Sequence, residues 1–235
     1  MRTRELPPPL PPHERTVGQL VAETIRLYGQ RFWHVLPLGL PVAIADQLSV
    51  RQAIGIQMLV YWALTPVFVA AFVWACAVAL DKDPTWTAAA VAVLVYLPFP
   101  ALRALFVIPG VAWFALLGLA VPAALVERLA FRDALVRGRE LGTADYAHAL
   151  GSLAALVVVV GVAENTLSAL LHTQGDNGQR VAVFLSDLVL SPLLFLGGAL
   201  LYIDQAARVV GSRRAALHPP LDPDPTGRHD AQVEP

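Results

Sequence analysis

The sequence predicts an all-α protein that crosses a membrane about six times, and three observations carry that prediction. The chain has 235 residues, of which 56% are hydrophobic and 15% charged, with a mean hydropathy of +0.57. So few charges cannot clothe a water-facing surface. The apolar residues gather in six runs, at 32–46, 55–80, 87–102, 107–125, 147–171 and 181–203. A hydrocarbon core about 30 Å thick asks for roughly 20 such residues per helix, so runs 32–46 and 87–102 must borrow from their flanks. The third observation is the distribution of basic residues. Fourteen of the seventeen lie in segments that would share one face; only Arg51, Arg103 and Arg180 fall on the other. Positive residues are retained in the cytoplasm, which predicts both termini there and an inner-membrane, multi-pass placement. Helices are the expected spans, because a crossing segment must satisfy its own backbone hydrogen bonds.

Residues 1–13 hold five prolines between Leu6 and Pro12 and read as an extended, disordered tail, or as a Pro-rich recognition peptide. Such a start cannot serve as the apolar core of a signal peptide, so insertion is expected through the first span. A six-helix membrane domain is expected over 14–210, and a second disordered tail over 211–235, where HPPLDPDPTGRHDAQVEP repeats the Pro-rich polar character. Two amphipathic helices near 16–31 and 128–142 are expected to lie along the cytoplasmic leaflet. Thr16 and Gln19 form a capping-box start for the first, with Val17, Leu20, Val21, Thr24, Leu27 and Tyr28 on one face. In the second, Phe131, Leu135, Gly138 and Leu141 share a side opposite Arg132, Val136 and Arg139, with Asp133 and Arg137 paired at i, i+4. Arg26, Arg31, Arg132 and Arg139 are the candidate lipid-phosphate contacts.

The junctions after these two helices are alike. Leu27, Phe32, His34 and Leu36 recur 114 positions later as Leu141, Tyr146, His148 and Leu150, through internal duplication or by chance. Within the spans, Pro98 and Pro100 must kink or break the third helix, since each removes a backbone donor. Pro109-Gly110 reads as a turn signal.

The net charge of −1 gives no case for nucleic acid. Cys76 is the single cysteine, so disulfides and thiolate metal clusters within one chain are excluded. Sixteen of the basic residues are Arg and alanine is abundant, which is compatible with a GC-rich bacterial genome. The ionisable groups at membrane depth are Arg103, Glu164 and Asp187. Such charges cost several kcal/mol unless paired or wetted, so they form either an ion pair between helices or a polar site. Asn165 and Ser168 lie beside Glu164 and could support it. Asp204 could hold an arginine of the 128–139 segment or face solvent. His34 and His148 read as interfacial residues.

Four stretches carry a family resemblance: ETIRLYGQRFWHVLPLGL, VIPGVAWFALLGLAVPAALVE, DALVRGRELGTADYAHALG and SPLLFLGGALLYIDQAAR. Together they resemble bacterial six-span proteins grouped with the membrane domain of glycerophosphoryl diester phosphodiesterases. Pro109, Gly110, Pro122, Glu127, Pro192, Tyr202 and Asp204 stand at that family's usual places, whereas Gly138, Gln205 and Ala206 depart from its pattern. The resemblance implies a fold rather than an activity. In those enzymes the chemistry belongs to a separate soluble barrel with a His-Arg-Gly motif, and this chain has neither the motif nor the length for one of about 250 residues. No nucleophile–base constellation, P-loop or nucleotide fingerprint is present. The expectation is therefore a non-enzymatic membrane protein without cofactor. Its partners would be the lipid bilayer and other membrane proteins or copies of itself. The alternative is a small transporter or channel component built on Arg103, Glu164 and Asp187.

Overall fold

The computed structural model describes residues 11–171 and 175–217, which are helical with no strand among them. Residues 1–10 and 218–235, most of both expected tails, lie outside the described residues. The chain runs through α1 (Val17–Gln30), α2 (Phe32–Val35), α3 (Leu40–Ser49), α4 (Ile54–Ala63), α5 (Thr65–Leu80), α6 (Trp86–Tyr96) and α7 (Phe99–Leu105). It continues through α8 (Val107–Trp113), α9 (Ala120–Val126), α10 (Phe131–Ala144), α11 (Tyr146–Leu171), α12 (Gly175–Leu190) and α13 (Pro192–Leu217). A 3-10 turn, Leu36–Gly39, joins α2 to α3, and a π-helical turn, Phe114–Gly118, joins α8 to α9.

Among the described residues, three stretches are long and apolar enough to cross a membrane: Val107–Val126, Tyr146–Leu167 and Gly178–Gly211. A fourth is counted if α4 and α5, which meet at 53°, are one broken span. Leu64 sits at that break, two residues before Pro66, whose ring cannot continue the preceding helix without strain. The expected runs 32–46 and 87–102 do not form single long helices. The first is divided by the 3-10 turn containing Pro37, with Pro41 opening α3. The second stops at Tyr96 and restarts at Phe99, around Pro98. Pro109-Gly110 is not a turn. Pro109 stands in the first turn of α8, where its missing N–H costs nothing, and the chain reverses instead at extended Phe106. The terminal helix reaches Leu217, past the expected end of the ordered domain at 210.

The expected amphipathic helices both form. Thr16 caps α1 as a full capping box: its hydroxyl accepts from Gln19 N at 3.4 Å and the Gln19 side chain accepts from Thr16 N at 2.9 Å. Leu20 and Thr24 are its fully buried positions, packed over α11 and α13. The buried face of α10 is Ala134, Gly138, Leu141 and Gly142, with Phe131 partly exposed. Its seat against α9 and the π turn has no room for side chains. A Cβ on Gly138 would lie 2.5 Å from Ala120 N, and one on Gly142 would lie 2.4 Å from the Leu116 carbonyl oxygen. This is the small-xxx-small packing by which helices approach closely. The α10 bounds are those of α1 moved by 114 positions at each end. The likeness stops there, because α2–α3 is broken and α11 is continuous.

Two layers of polar contact mark the ends of the bundle. At one end Arg15 meets Asp204, Tyr202 donates to Glu127 at 2.9 Å and Arg208 meets Asp145. At the other, Gln47 on α3 donates to the Arg180 carbonyl near the start of α12 at 2.8 Å. Between them the outward surface is apolar, with Ile54, Leu59, Val158, Val162 and Val181 all more than half exposed. An apolar surface of that extent requires a lipid or protein covering.

Candidate functional site: an aromatic cavity between the helices

Three helical stripes converge on the middle of the bundle. On α11, Leu153, Val157, Val160 and Glu164 recur at the three- and four-residue steps that keep side chains on one face. The start of α13 turns Leu194, Phe195, Gly198 and Leu201 toward them, and α8 with its π turn contributes Val111, Phe114 and Gly118. The cavity between them has a volume of about 380 Å³ and is partly open. Its remaining wall is aromatic. Tyr96 and Phe114 meet edge to face at 4.9 Å between centroids, Phe99 and Phe114 at 5.5 Å, and Phe68 stacks on Tyr61 at 5.7 Å. Edge-to-face contacts favour particular ring orientations.

Two carboxylates border this space, Glu164 on α11 and Asp46 on α3. The Tyr61 hydroxyl donates to Asp46 Oδ1. Of the three intramembrane charges singled out from the sequence, Glu164 lines the cavity. Asp187 is buried on α12 at 3% exposure and is not part of the lining. The side chains of Arg103 and Ser168 lie outside the described residues. Asn165 does not support Glu164; its amide donates to the Gly161 carbonyl of its own helix at 2.6 Å. Asp46 and Tyr61 are the members that sequence reasoning missed. Asp46 stood at the expected end of the first span, but α3 runs on to Ser49 and carries it inside.

A separate polar cluster closes the Asp204 end of the bundle. Asp204, fully buried, accepts from Arg15 at 3.1 Å, and His148 Nε2 lies 3.9 Å from its other oxygen. Arg208 bonds Asp145 at 2.8 Å and the Arg15 carbonyl at 2.9 Å, while buried Gln205 donates to the Asp145 carbonyl at 3.1 Å. Asp204 is thus held by Arg15 rather than by an arginine of the 128–139 segment, and His148 is part of a buried cluster. Arg15 Nε, Ser152 Oγ, Asp204 Oδ2 and Gln205 Oε1 find no hydrogen-bond partner among the described residues. That mixture of donors and acceptors suits water. Arg137 departs from the expected Asp133 pairing and instead bonds Glu127 at 3.0 Å and Glu140 at 2.7 Å. Burial works against its charge, but those carboxylates outweigh it and raise its pKa above the ordinary arginine value.

The four arginines expected at lipid phosphates lie outside the cavity. Arg26 is largely exposed and pairs with Glu23 at 2.9 Å, and Arg132 and Arg139 are exposed on α10. Arg31 donates to the Val78 carbonyl at 2.9 Å, which ties the end of α1 to the end of α5. Trp33, two residues beyond Arg31, and Trp86, at the start of α6, are 79% and 92% exposed. Among the described residues no three His, Cys, Asp or Glu side chains gather as a metal site would require.

Comparison with protein-family models, with curated proteins and with solved structures gave no match to this chain.

Proposed function

We propose that this is a non-enzymatic integral membrane protein of the bacterial inner membrane, with six passes and both ends in the cytoplasm, whose work is to hold a lipid-like apolar molecule between its helices. The observation that carries the reading is the aromatic-lined cavity. It is roomy, almost wholly apolar and surrounded by helices suited to lipid, which is the usual form of a pocket for an apolar ligand. The resemblance to the phosphodiesterase membrane domain fits a helical accessory role and adds no chemistry. The six-pass count treats the broken pairs α2–α3, α4–α5 and α6–α7 as one crossing each. It is supported by the basic-residue asymmetry and by the Arg31–Val78 tie, which joins two segments expected on one side. A transporter built on Arg103, Glu164 and Asp187 has less support, because a polar path is its requirement, most of the cavity lining is apolar and Asp187 is not part of it.

Gly161 provides the test of the cavity. A Cβ there meets nothing within 4 Å, so Gly161→Phe places a ring in the open space without backbone conflict. Native mass spectrometry of protein purified in mild detergent should find a bound lipid on the wild type, reduced at least tenfold in Gly161→Phe with the helical content kept. Equal lipid on both proteins would defeat the reading.

Topology is read separately. In a Cys76→Ala background, single cysteines at exposed Gln52 or Gln179 should react with an impermeant reagent added outside intact cells. Cysteines at exposed Asp83 or Asp133 should not. Outside labelling of Asp133→Cys would reverse the orientation.

A further inference from the structure

One end of the cavity leads into the buried polar cluster. On α13, Leu201 lines the cavity and Asp204 follows one helical turn later; on α11, Leu153 lines it beside Ser152, which stands one turn after His148. Helix α1 lies across this end. Its fully buried Leu20 shares one apolar core with Leu119 and Leu201, against which Leu153 packs, and Val17 is the neighbour that a Cβ on Gly151 would meet, at 3.7 Å. The two ends of α1 are held differently. At its last turn Tyr28 donates to the Val189 carbonyl at 2.7 Å, and Arg31, at the break before α2, donates to the Val78 carbonyl at 2.9 Å. At its start Arg15 donates to Asp204 at 3.1 Å, and the Arg15 carbonyl accepts from Arg208 at 2.9 Å. Between those ends the helix satisfies polar groups of its own: Thr16 and Gln19 cap each other, and buried Thr24 donates to the Leu20 carbonyl at 2.8 Å.

We propose that α1 is a strap over the Leu201 end of the cavity, latched at Arg15 and hinged near Arg31, whose lifting opens that end on the side proposed as cytoplasmic. Hinges sit at the ends of elements, as Arg31 does, and a helix whose own groups pair internally lifts without unwinding. Arg15 carries the latch. Around it Arg15 Nε, Ser152 Oγ, Asp204 Oδ2 and Gln205 Oε1 find no hydrogen-bond partner among the described residues, and His148 Nε2 stands 3.9 Å from Asp204 Oδ2, beyond hydrogen-bond range. Water serves these atoms as well with the strap lifted as with it shut, so lifting does not penalise them. Leu20 opposes the motion: its buried apolar surface meets water on opening, which keeps the strap shut at rest. The inference rests on the lipid-holding reading above and goes beyond it in assigning that cavity a door.

Full-length protein in phosphatidylcholine nanodiscs is treated with a water-soluble methanethiosulfonate, and the rate of thiol modification is read at three buried positions. Ser152→Cys and Leu201→Cys, each in a Cys76→Ala background, report from beneath the strap. Native Cys76, buried on α5 in the other apolar core, reports on the bundle as a whole. Arg15→Ala should raise the rate at Ser152→Cys and Leu201→Cys at least tenfold and leave Cys76 unchanged. Arg15→Lys, which keeps the charge, should raise it less. Equal acceleration at Cys76 would mean a general loosening and would overturn the proposal, as would unchanged rates at all three positions. Acceleration at Ser152→Cys alone would also overturn it, by showing that α1 covers the polar cluster and not the cavity. These rates need no ligand. Their failure leaves the lipid test with Gly161→Phe standing, and failure of that test removes the cavity reading without altering the rates.

Discussion

Gly142→Ala is expected to destabilise the bundle by about 1–3 kcal/mol or more, the usual cost of forcing a methyl group into a filled space. The upper end applies because the opposing atoms are the carbonyl oxygens of Leu116 and Ala115, at 2.4 and 2.7 Å from where the new carbon would sit. Backbone of a helix cannot swing aside as a side chain does. Gly138→Ala should behave alike, since its conflict is with Ala120 backbone. Gly18 of α1 is the control: nothing lies within 4 Å of its Cβ position. Gly18→Ala should be neutral or stabilise by about 0.5–1 kcal/mol through helix propensity alone. Thermal unfolding in detergent, followed by tryptophan fluorescence, reads all three. A Gly142→Ala midpoint equal to wild type would mean that α10 does not sit on the π turn in solution.

Asp204→Ala should cost about 3 kcal/mol, the lower edge of the range for breaking a buried pair, because Arg15 keeps 16% of its side-chain exposure. Arg15→Ala should cost less. A carboxyl left alone can take up a proton, whereas a guanidinium cannot release one. The order of the two losses is therefore a signature of the pair, and a double-mutant cycle should give a coupling of about 0.5–3 kcal/mol. Arg208→Ala has a different expected result, since its partners are Asp145 and a carbonyl. Equal and additive losses for Arg15→Ala and Asp204→Ala would show that the two side chains act independently.

Legibility from sequence followed the range of each interaction. The start of α1 was readable because Thr16 and Gln19 answer each other across three residues. The break before α5 and the interruptions of the first and third runs were foreshadowed by Pro66, Pro37 and Pro98. Asp204 was visible as an unusual residue but its partner was not, because Arg15 lies 189 positions away among fourteen basic residues of the same face. The cavity wall was hidden for another reason. Where a helical exterior is as apolar as its interior, inward and outward residues cannot be told apart by hydropathy. Phe72, 2% exposed, and Val158, 61% exposed, therefore look alike in sequence. Glu164 stood out because a carboxylate breaks that uniformity; Asp46 did so too, but the first span was ended one turn early.

The π turn at Phe114–Gly118 has a bearing on how this chain can vary. An α-helix advances about 100° per residue, so the wider turn resets the angular phase between α8 and α9. Val107, Gly110 and Val111 before it border the cavity, as do Phe114 and Gly118 within it; beyond Leu119, every residue from Ala120 to Leu125 is buried, where α9 meets α6 and α10. The two halves of one apolar stretch thus answer to different neighbours. Selection can resize the ligand space through the first half while the tight α9–α10 seam stays fixed. A continuous α-helix would have coupled those two histories.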